Sequence, residues 1–143
     1  MLFGIYSYIT KIGWFFMNIL PPFARRFIFN ILLKKKGKKG HIDYGVYMRY
    51  MKHIEIGDNV WINRNSQLYA SHAFKNVKIS LGNNVAIGPN VVLFAAGHDT
   101  TELNLPDTAG DIIVQDYVWI GGNSTILQNV TIGEVQLWRR GLL

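Results

Sequence analysis

Residues 81–93 read LGNNVAIGPNVVL, and residues 114–126 read VQDYVWIGGNSTI. In the first stretch an aliphatic residue returns every six positions, at Leu81, Ile87 and Leu93. A small or β-branched residue follows four positions after each aliphatic, and Gly, Asn, Asp or Pro fills many of the places between. The same spacing recurs elsewhere in the chain, at Ile56, Ile62, Leu68, Val114, Ile120, Ile126 and Ile132.

A period of six excludes an α-helix, whose apolar stripe repeats about every 3.6 residues. The Asn, Gly and β-branched content also disfavours helix, and a plain alternating strand would not place turn residues at every sixth position. The pattern predicts a mainly β solenoid of short parallel strands, in which the aliphatics point inward and a Gly or Asn near each corner lets the chain turn. Three repeats would complete one triangular coil, and coils would stack at about 4.8 Å.

Charge divides the chain into two unequal parts. Residues 1–52 contain ten Lys or Arg and a single acid, Asp43, whereas residues 53–143 contain five basic and eight acidic residues. The basic part is interleaved with long apolar runs, which favours an anionic membrane surface over a nucleic acid as its partner. The chain has no cysteine, which excludes disulfides, thiolate chemistry and cysteine-zinc sites.

Residues 1–40 are predicted to form an apolar and basic helical segment. Pro21 and Pro22 separate two short apolar stretches, and Lys11 interrupts the first, so a pair of helices is simpler than a membrane span. Two interpretations stay open and are compatible. The lysines of residues 34–39 could lie at lipid headgroups, or the helices could cap one end of the solenoid and bury their apolar faces there.

Two longer runs carry a resemblance to a known family: LGNNVAIGPNVVLFAAGHD at 81–99 and VQDYVWIGGNSTILQNVTIGE at 114–134. They resemble the hexapeptide-repeat acyltransferase superfamily, and within it the maltose and galactoside O-acetyltransferase-like branch, which includes enzymes acting on envelope polysaccharide sugars. The resemblance covers roughly residues 54–134. It implies a left-handed parallel β-helix acyltransferase domain over residues 41–134, a homotrimer, acetyl-CoA as co-substrate and no metal.

Two stretches, residues 70–77 and 97–111, break the six-residue spacing. The second is rich in turn formers, reads as a projecting loop, and begins with Gly97 and His98. Acetyl transfer to a hydroxyl needs a base, and imidazole suits that role near neutral pH. The resembling family uses a histidine at this Gly-His position, which implies that His98 is the catalytic base; the alternative is a polar loop residue without a role. Asp99 either orients His98 or holds the turn.

Trp119 follows an inward position, so its indole is predicted to face outward, where a large apolar side chain needs a partner. In the resembling enzymes the Val-Trp-Ile-Gly run lies on the cleft between subunits, near the thioester arm. By that likeness Trp119, Gly121 and Gly122 would bind acetyl-CoA. The alternatives are trimer packing for Trp119 and a purely structural role for two corner glycines. The paired histidines five positions apart that hold zinc in γ-carbonic anhydrases are absent, so no metal site is predicted.

Residues 135–143, VQLWRRGLL, do not continue the hexapeptide pattern. Restoring one nucleotide after the Glu134 codon allows the reading Gly-Ala-Val-Val-Ala-Ala-Gly-Ser, which is the kind of sequence the resembling family has at this point. The tail is therefore predicted to be a frameshifted end of a truncated chain. In that case we expect weakened acetyl-CoA binding or loss of activity.

The function predicted from these features is transfer of acetyl from acetyl-CoA to a sugar hydroxyl of an envelope polysaccharide or its precursor. The enzyme would work in the cytoplasm, and the basic N-terminus favours the inner face of the cytoplasmic membrane. Two alternatives remain: an N-acetyltransferase acting on a nucleotide-sugar amine, and a non-catalytic solenoid. No nucleic-acid partner is predicted, because the basic residues form no recognisable reading motif.

Overall fold

A computed structural model describes residues 2–134 and 137–138 of the chain. Two N-terminal helices precede a three-sided parallel β-solenoid. The helices are α1 (Leu2–Ile19), α2 (Pro22–Leu32) and a short 3-10 helix (Met51–His53). The strands are β1 (Lys35–Lys36), β2 (His41–Ile42), β3 (Tyr47–Arg49), β4 (Ile54–Ile56), β5 (Trp61–Ile62), β6 (Gln67–Tyr69), β7 (Ile79–Leu81), β8 (Ala86–Ile87), β9 (Val92–Phe94), β10 (Ala96–His98), β11 (Asp107–Ala109), β12 (Ile112–Val114), β13 (Trp119–Ile120), β14 (Thr125–Leu127), β15 (Val130–Ile132) and β16 (Leu137–Trp138).

Each of the first four coils contributes one short strand to each of three faces, and the described part of the fifth adds a strand to two of them. Face A has the order β1-β4-β7-β12-β15, face B the order β2-β5-β8-β13-β16, and face C the order β3-β6-β9-β14. Neighbouring strands run parallel and in register, so that Ile56 lies beside Leu81 and Leu81 beside Val114. The aliphatic positions predicted to point inward are buried, and they form a continuous core. Burial of each Ile or Leu stabilises the fold by about 1.5–3 kcal/mol.

The corners are turned by asparagines. Asn59 and Asn84 have positive φ values of 55° and 54°, in the left-handed region that Asn tolerates better than most residues. Their side chains also bond from coil to coil, since the Asn59 amide donates to Asn84 Oδ1 at 2.9 Å. The other corner asparagines with positive φ are Asn65, Asn90, Asn123 and Asn129.

Two repeat glycines, Gly82 and Gly88, have a different role from the one the sequence suggested. Gly88 does not have a positive φ; instead, a Cβ added there would lie 2.5 Å from the backbone nitrogen of Gly122 in the next coil. Gly82 is similarly crowded by the backbone of Gln115 and by Asp116. The expectation that corner residues supply backbone freedom is confirmed for the asparagines and for Gly40 and Gly45, which have positive φ values. It is wrong for Gly82 and Gly88, which instead permit the close approach of stacked coils.

The N-terminal helices close one end of the solenoid. Trp14 of α1 and Phe29 of α2 are buried in the same core as Ile42. Arg25 of α2 is buried too, and its guanidinium donates to the backbone carbonyls of Ile42 and Asp43 at 3.1 and 3.0 Å. The predicted capping role of this segment is thus confirmed.

The solenoid extends beyond the domain boundaries predicted from the sequence. Lys35 and Lys36 form β1 and pair in parallel with Glu55 and Ile56, so the first coil starts before residue 41. Beyond residue 134, the backbone of β16 pairs with β13 on face B. The other residues of the predicted tail, 135–136 and 139–143, lie outside the described residues.

Among residues 2–134 and 137–138, neither helix combines the length and the apolar character needed to cross a membrane.

The irregular segments meet at one corner of the prism. Residues 50–53, 70–78 and 95–111 all leave face C and return on face A. The last of them contains an antiparallel hairpin, β10–β11, rather than an irregular loop. This stacking of connections along a single edge creates the cleft in which His98 lies.

Candidate active site

A cleft of roughly 430 Å³ lies along the corner between faces C and A. Its floor consists of outward side chains from the strands of face C, and its walls come from the connections 50–53 and 70–78 and from the hairpin. The lining residues are Arg49, Tyr50, Tyr69, Ala70, Ser71, His72, Ala73, Phe94, Ala96, Gly97, His98, Asp107 and Thr108.

The imidazole of His98 is held through one ring nitrogen. Its Nδ1 lies 3.0 Å from the carbonyl oxygen of Leu105 and 3.2 Å from Oδ1 of Asp107. Both neighbours are hydrogen-bond acceptors, which assigns the proton of the neutral ring to Nδ1. Nε2 then carries the lone pair, and the side chain is 59% exposed, so this nitrogen can accept a proton from a molecule in the cleft.

Asp99 holds the turn and does not orient His98. Its Oδ1 accepts hydrogen bonds from the hydroxyl and the backbone N–H of Thr101, at 2.6 and 2.8 Å. These two bonds hold the pKa of the Asp99 carboxyl below its usual value. The carboxylate beside His98 is Asp107, which sequence reasoning missed. Only the antiparallel register of the hairpin, His98 opposite Asp107, would have identified it.

The floor of the cleft is an aromatic ladder on face C. The rings of Tyr69 and Phe94 are stacked, with centroids 5.0 Å apart and planes inclined by 11°. Tyr47 continues the ladder at 5.7 Å from Tyr69, and Trp14 of α1 lies 5.5 Å from Tyr47. Burial raises the pKa of the Tyr69 hydroxyl, with a smaller contribution from Tyr47, so this phenol stays neutral and donates to Gln67. The two rings give a flat apolar surface in the cleft with His98, and the cationic Arg49 of face C also lines this cleft.

Trp119 and the two glycines lie on a different face of the prism from His98. Trp119 points outward from face B with 47% of its surface exposed, as predicted. Gly122 packs against Pro89, whose carbonyl oxygen would lie 3.1 Å from an added Cβ, and Gly121 is buried. Neither Trp119 nor the glycines line the His98 cleft. A single chain therefore does not bring the predicted base and the predicted acetyl-CoA residues together.

Histidines and carboxylates do not form a metal site in the described part of the chain. Within residues 2–134, no three such side chains lie close enough together to hold an ion. His72, the second histidine of the cleft, instead packs against Tyr50, with ring centroids 5.2 Å apart and planes tilted by 40°.

Comparison with known proteins identifies the fold and the family. No family model matches the chain. The chain is 31% identical over 101 residues to the galactoside O-acetyltransferase of Escherichia coli (strain K12), covering 68% of the chain and 47% of that enzyme. It superposes with a TM-score of 0.78 and 27% identity on a hexapeptide-repeat acetyltransferase from Vibrio cholerae O1 biovar eltor, solved with acetyl-CoA, covering 90% of the chain and 69% of that structure. The chain belongs to the hexapeptide-repeat acyltransferase superfamily.

A third similar protein is a galactoside acetyltransferase solved in complex with coenzyme A. The TM-score is 0.77 at 26% identity, over 90% of the chain and 64% of that structure. The galactoside O-acetyltransferase-like branch and the left-handed hexapeptide β-helix, both implied by the resemblance, are confirmed. This hexapeptide-repeat chain spans about half the length of the curated relatives it matches.

Proposed function

We propose that this hexapeptide-repeat protein is an acetyl-CoA-dependent O-acetyltransferase, with His98 as the base that activates a sugar hydroxyl. The observation that carries the proposal is the fixed imidazole of His98. Because the carbonyl of Leu105 and the carboxylate of Asp107 occupy Nδ1, the ring presents Nε2 as the basic nitrogen of the cleft.

The reaction follows from that arrangement. Nε2 of His98 takes the hydroxyl proton as the sugar oxygen forms a bond to the thioester carbonyl carbon. The carbon–sulfur bond then breaks, and the imidazolium returns its proton to the departing sulfur. Asp107 stabilises the imidazolium between these two events, since its carboxylate lies beside Nδ1. No covalent acyl-enzyme is needed, and the chain offers no cysteine to form one.

The co-substrate site is proposed to form between two copies of the chain in a homotrimer. Trp119, Gly121 and Gly122 lie on face B, whereas His98 follows face C, so a neighbouring copy would have to bring face B to the cleft. Support for acetyl-CoA comes from the similar Vibrio cholerae structure, which contains it. An exposed tryptophan beside small residues suits an extended thioester arm.

A sugar is the acceptor that the cleft suits best. Phe94 and Tyr69 offer a flat apolar floor on which the C–H face of a pyranose ring can pack, beside the base. One curated relative is a galactoside O-acetyltransferase. We infer that the acceptor is a sugar of an envelope polysaccharide or its precursor, acetylated in the cytoplasm at the inner face of the membrane.

Acetyl transfer by the purified chain tests this proposal. Labelled acetyl-CoA is offered with a panel of galactosides, maltose and amino sugars, and the product is treated with mild alkali. We expect an alkali-labile ester on a sugar hydroxyl, and a loss of about 10²–10⁴-fold in kcat for His98→Ala. His41→Ala, a histidine outside the cleft, is the control and should keep its activity. An alkali-stable amide would favour the N-acetyltransferase, and full activity in His98→Ala would refute the role of His98.

A further inference from the structure

The first N-terminal helix is apolar on two opposite sides. Its inner side buries Trp14 and Met17 against the solenoid. Its outer side carries a second stripe at spacings of three and four residues, the spacing of one helix face. Between 42% and 64% of each of these side chains is exposed, at Ile5, Ile9, Ile12, Phe16 and Ile19.

The second helix repeats the arrangement. Arg25 and Phe29 face the core, while Phe23, Phe27 and Ile31 follow one another at every fourth position and are 78%, 67% and 54% exposed. Scattered exposed apolar residues are ordinary, but contiguous stripes on two consecutive helices mark a surface that binds something.

Positive charge accompanies both stripes. Lys11 lies on α1 and Arg26 on α2, and both are exposed. Arg26 and Lys36 line a groove of about 260 Å³ together with Phe23. Burial, and then the charge of Arg26, lower the pKa of Lys36. An anion bound between the two side chains would favour the charged form of Lys36.

We propose that the outer stripes of α1 and α2, with Lys11, Arg26 and Lys36, dock the protein on an anionic lipid bilayer. The helices would lie in the interface, with their apolar side chains among the acyl chains and their cations at the phosphates. A second copy of the chain fits this surface less well. Residues 1–52 carry ten basic residues against one acid, so joining two such segments would bring like charges together.

Docking through α1 would also place the cleft beside the bilayer. Tyr6 of α1 stacks on Tyr50 with ring centroids 5.2 Å apart, and Tyr50 lines the cleft. This second step rests on the proposed function: the acceptor would be a sugar presented at the membrane surface, for example on a lipid carrier. The docking itself does not depend on the chemistry of His98.

Sedimentation of the full chain with lipid vesicles tests the docking surface. The vesicles are phosphatidylcholine alone or phosphatidylcholine mixed with phosphatidylglycerol. We expect binding only to the mixed vesicles, and its weakening as salt is raised. The triple variant Ile9→Ser, Phe16→Ser, Phe27→Ser should lose binding by about ten-fold or more. The double variant Lys11→Glu, Arg26→Glu should lose it as well.

The control variant is Phe74→Ser, Leu127→Ser, which removes exposed apolar side chains of the solenoid and should bind as the unmodified chain does. Circular dichroism checks that every variant keeps its fold. The proposal is overturned if the unmodified chain does not sediment with the mixed vesicles, or if the triple variant of the apolar stripes (the stripe variant) still does. It is also overturned if the stripe variant dissociates an oligomer while lipid binding is unchanged, which would assign the surface to a second copy.

Docking and chemistry are separated by two further measurements. His98→Ala should keep vesicle binding and lose acetyl transfer, and the stripe variant should keep acetyl transfer to a soluble sugar. If no chain transfers acetyl, the unmodified one included, while vesicle binding is as expected, the proposed function is overturned and the docking proposal is not.

Discussion

Nδ1 of His98 lies 3.2 Å from Oδ1 of Asp107, its directly opposed neighbour in the β10–β11 ladder. The same nitrogen lies 3.0 Å from the carbonyl oxygen of Leu105, in the turn of the same hairpin. The hairpin ladder therefore fixes the imidazole, and it brings the proposed base His98 and the carboxylate of Asp107 together. This makes Asp107 a positioning residue, because it would act through His98 and not on the substrate.

Asp107→Asn should lower kcat about ten-fold or more and leave KM for acetyl-CoA and for the sugar nearly unchanged. The amide removes the charge that stabilises the imidazolium, and its NH₂ group can stabilise the wrong tautomer of His98. Steady-state kinetics with both substrates measure the split between kcat and KM. Asp99→Asn is the matched control, since Asp99 bonds to Thr101 in the turn, and it should keep kcat within about two-fold. Equal losses in the two variants would show that Asp107 has no special role.

Phe94→Ala should raise KM for the sugar about five- to ten-fold without changing KM for acetyl-CoA. Removing this ring takes away the outer end of the aromatic floor, a contact of about 1 kcal/mol beyond simple burial. Phe74→Ala is a suitable control, because Phe74 is similarly exposed, 41% against 37%, and does not line the cleft. An unchanged sugar KM in Phe94→Ala would mean that the acceptor ring does not pack on this face.

The sequence predicts the solenoid well because its core depends on local spacing. Leu81, Ile87 and Leu93 are buried where their six-residue period requires. The first coil escaped the pattern because Lys36 occupies the position that Ile56 and Leu81 hold in the next two coils. Lys35 and Lys36 join face A through backbone pairing with Glu55 and Ile56, and a backbone ladder leaves no mark on side-chain periodicity.

The cleft is less predictable for a related reason. His98 is recognisable from a sequence motif. Asp107 lies beside it only because of the register of the hairpin, and this hairpin interrupts the six-residue repeat. The aromatic floor likewise depends on stacking between coils, since Tyr69 and Phe94 meet across a strand ladder although the irregular residues 70–78 separate their coils in sequence. Both features depend on the register between paired strands, which the six-residue spacing of the sequence does not specify.

Gly88→Ala should destabilise the fold by about 1–3 kcal/mol or more, because the new methyl group would meet the backbone of Gly122 at 2.5 Å. Gly13→Ala is the matched control, and we expect it to stabilise the fold instead. Nothing lies within 4 Å of an added Cβ at Gly13, and Ala in a helix interior is more stable than Gly by about 0.5–1 kcal/mol. Urea unfolding of both variants measures the difference. A neutral Gly88→Ala would show that the coils can separate locally at little cost.

Glu55→Gln should weaken the fold at neutral pH and make little difference in acid. Lys34 bonds the Glu55 carboxylate at 2.8 Å and Lys78 at 3.2 Å, and these bonds hold its pKa below the ordinary value of 4.5. A lowered folded pKa gives stability that is present above the unfolded pKa and is lost as pH falls through the folded one. The difference in Tm between the two chains should therefore shrink between about pH 5 and about pH 3. Glu102→Gln, at an exposed hairpin position, should show no such trend.

Mixing two inactive chains tests whether the site is shared between copies. His98→Ala retains Trp119, and Trp119→Ala retains His98. Neither pure protein has a complete site, whether the two residues come from the same chain or from neighbouring chains. Unfolding and refolding an equal mixture would combine an intact His98 with a neighbour's intact Trp119 in about one quarter of the interfaces of a closed trimer. We expect about a quarter of the unmodified activity to return. If both residues act within one chain, every site lacks one of them, and the mixture should stay as inactive as its parts.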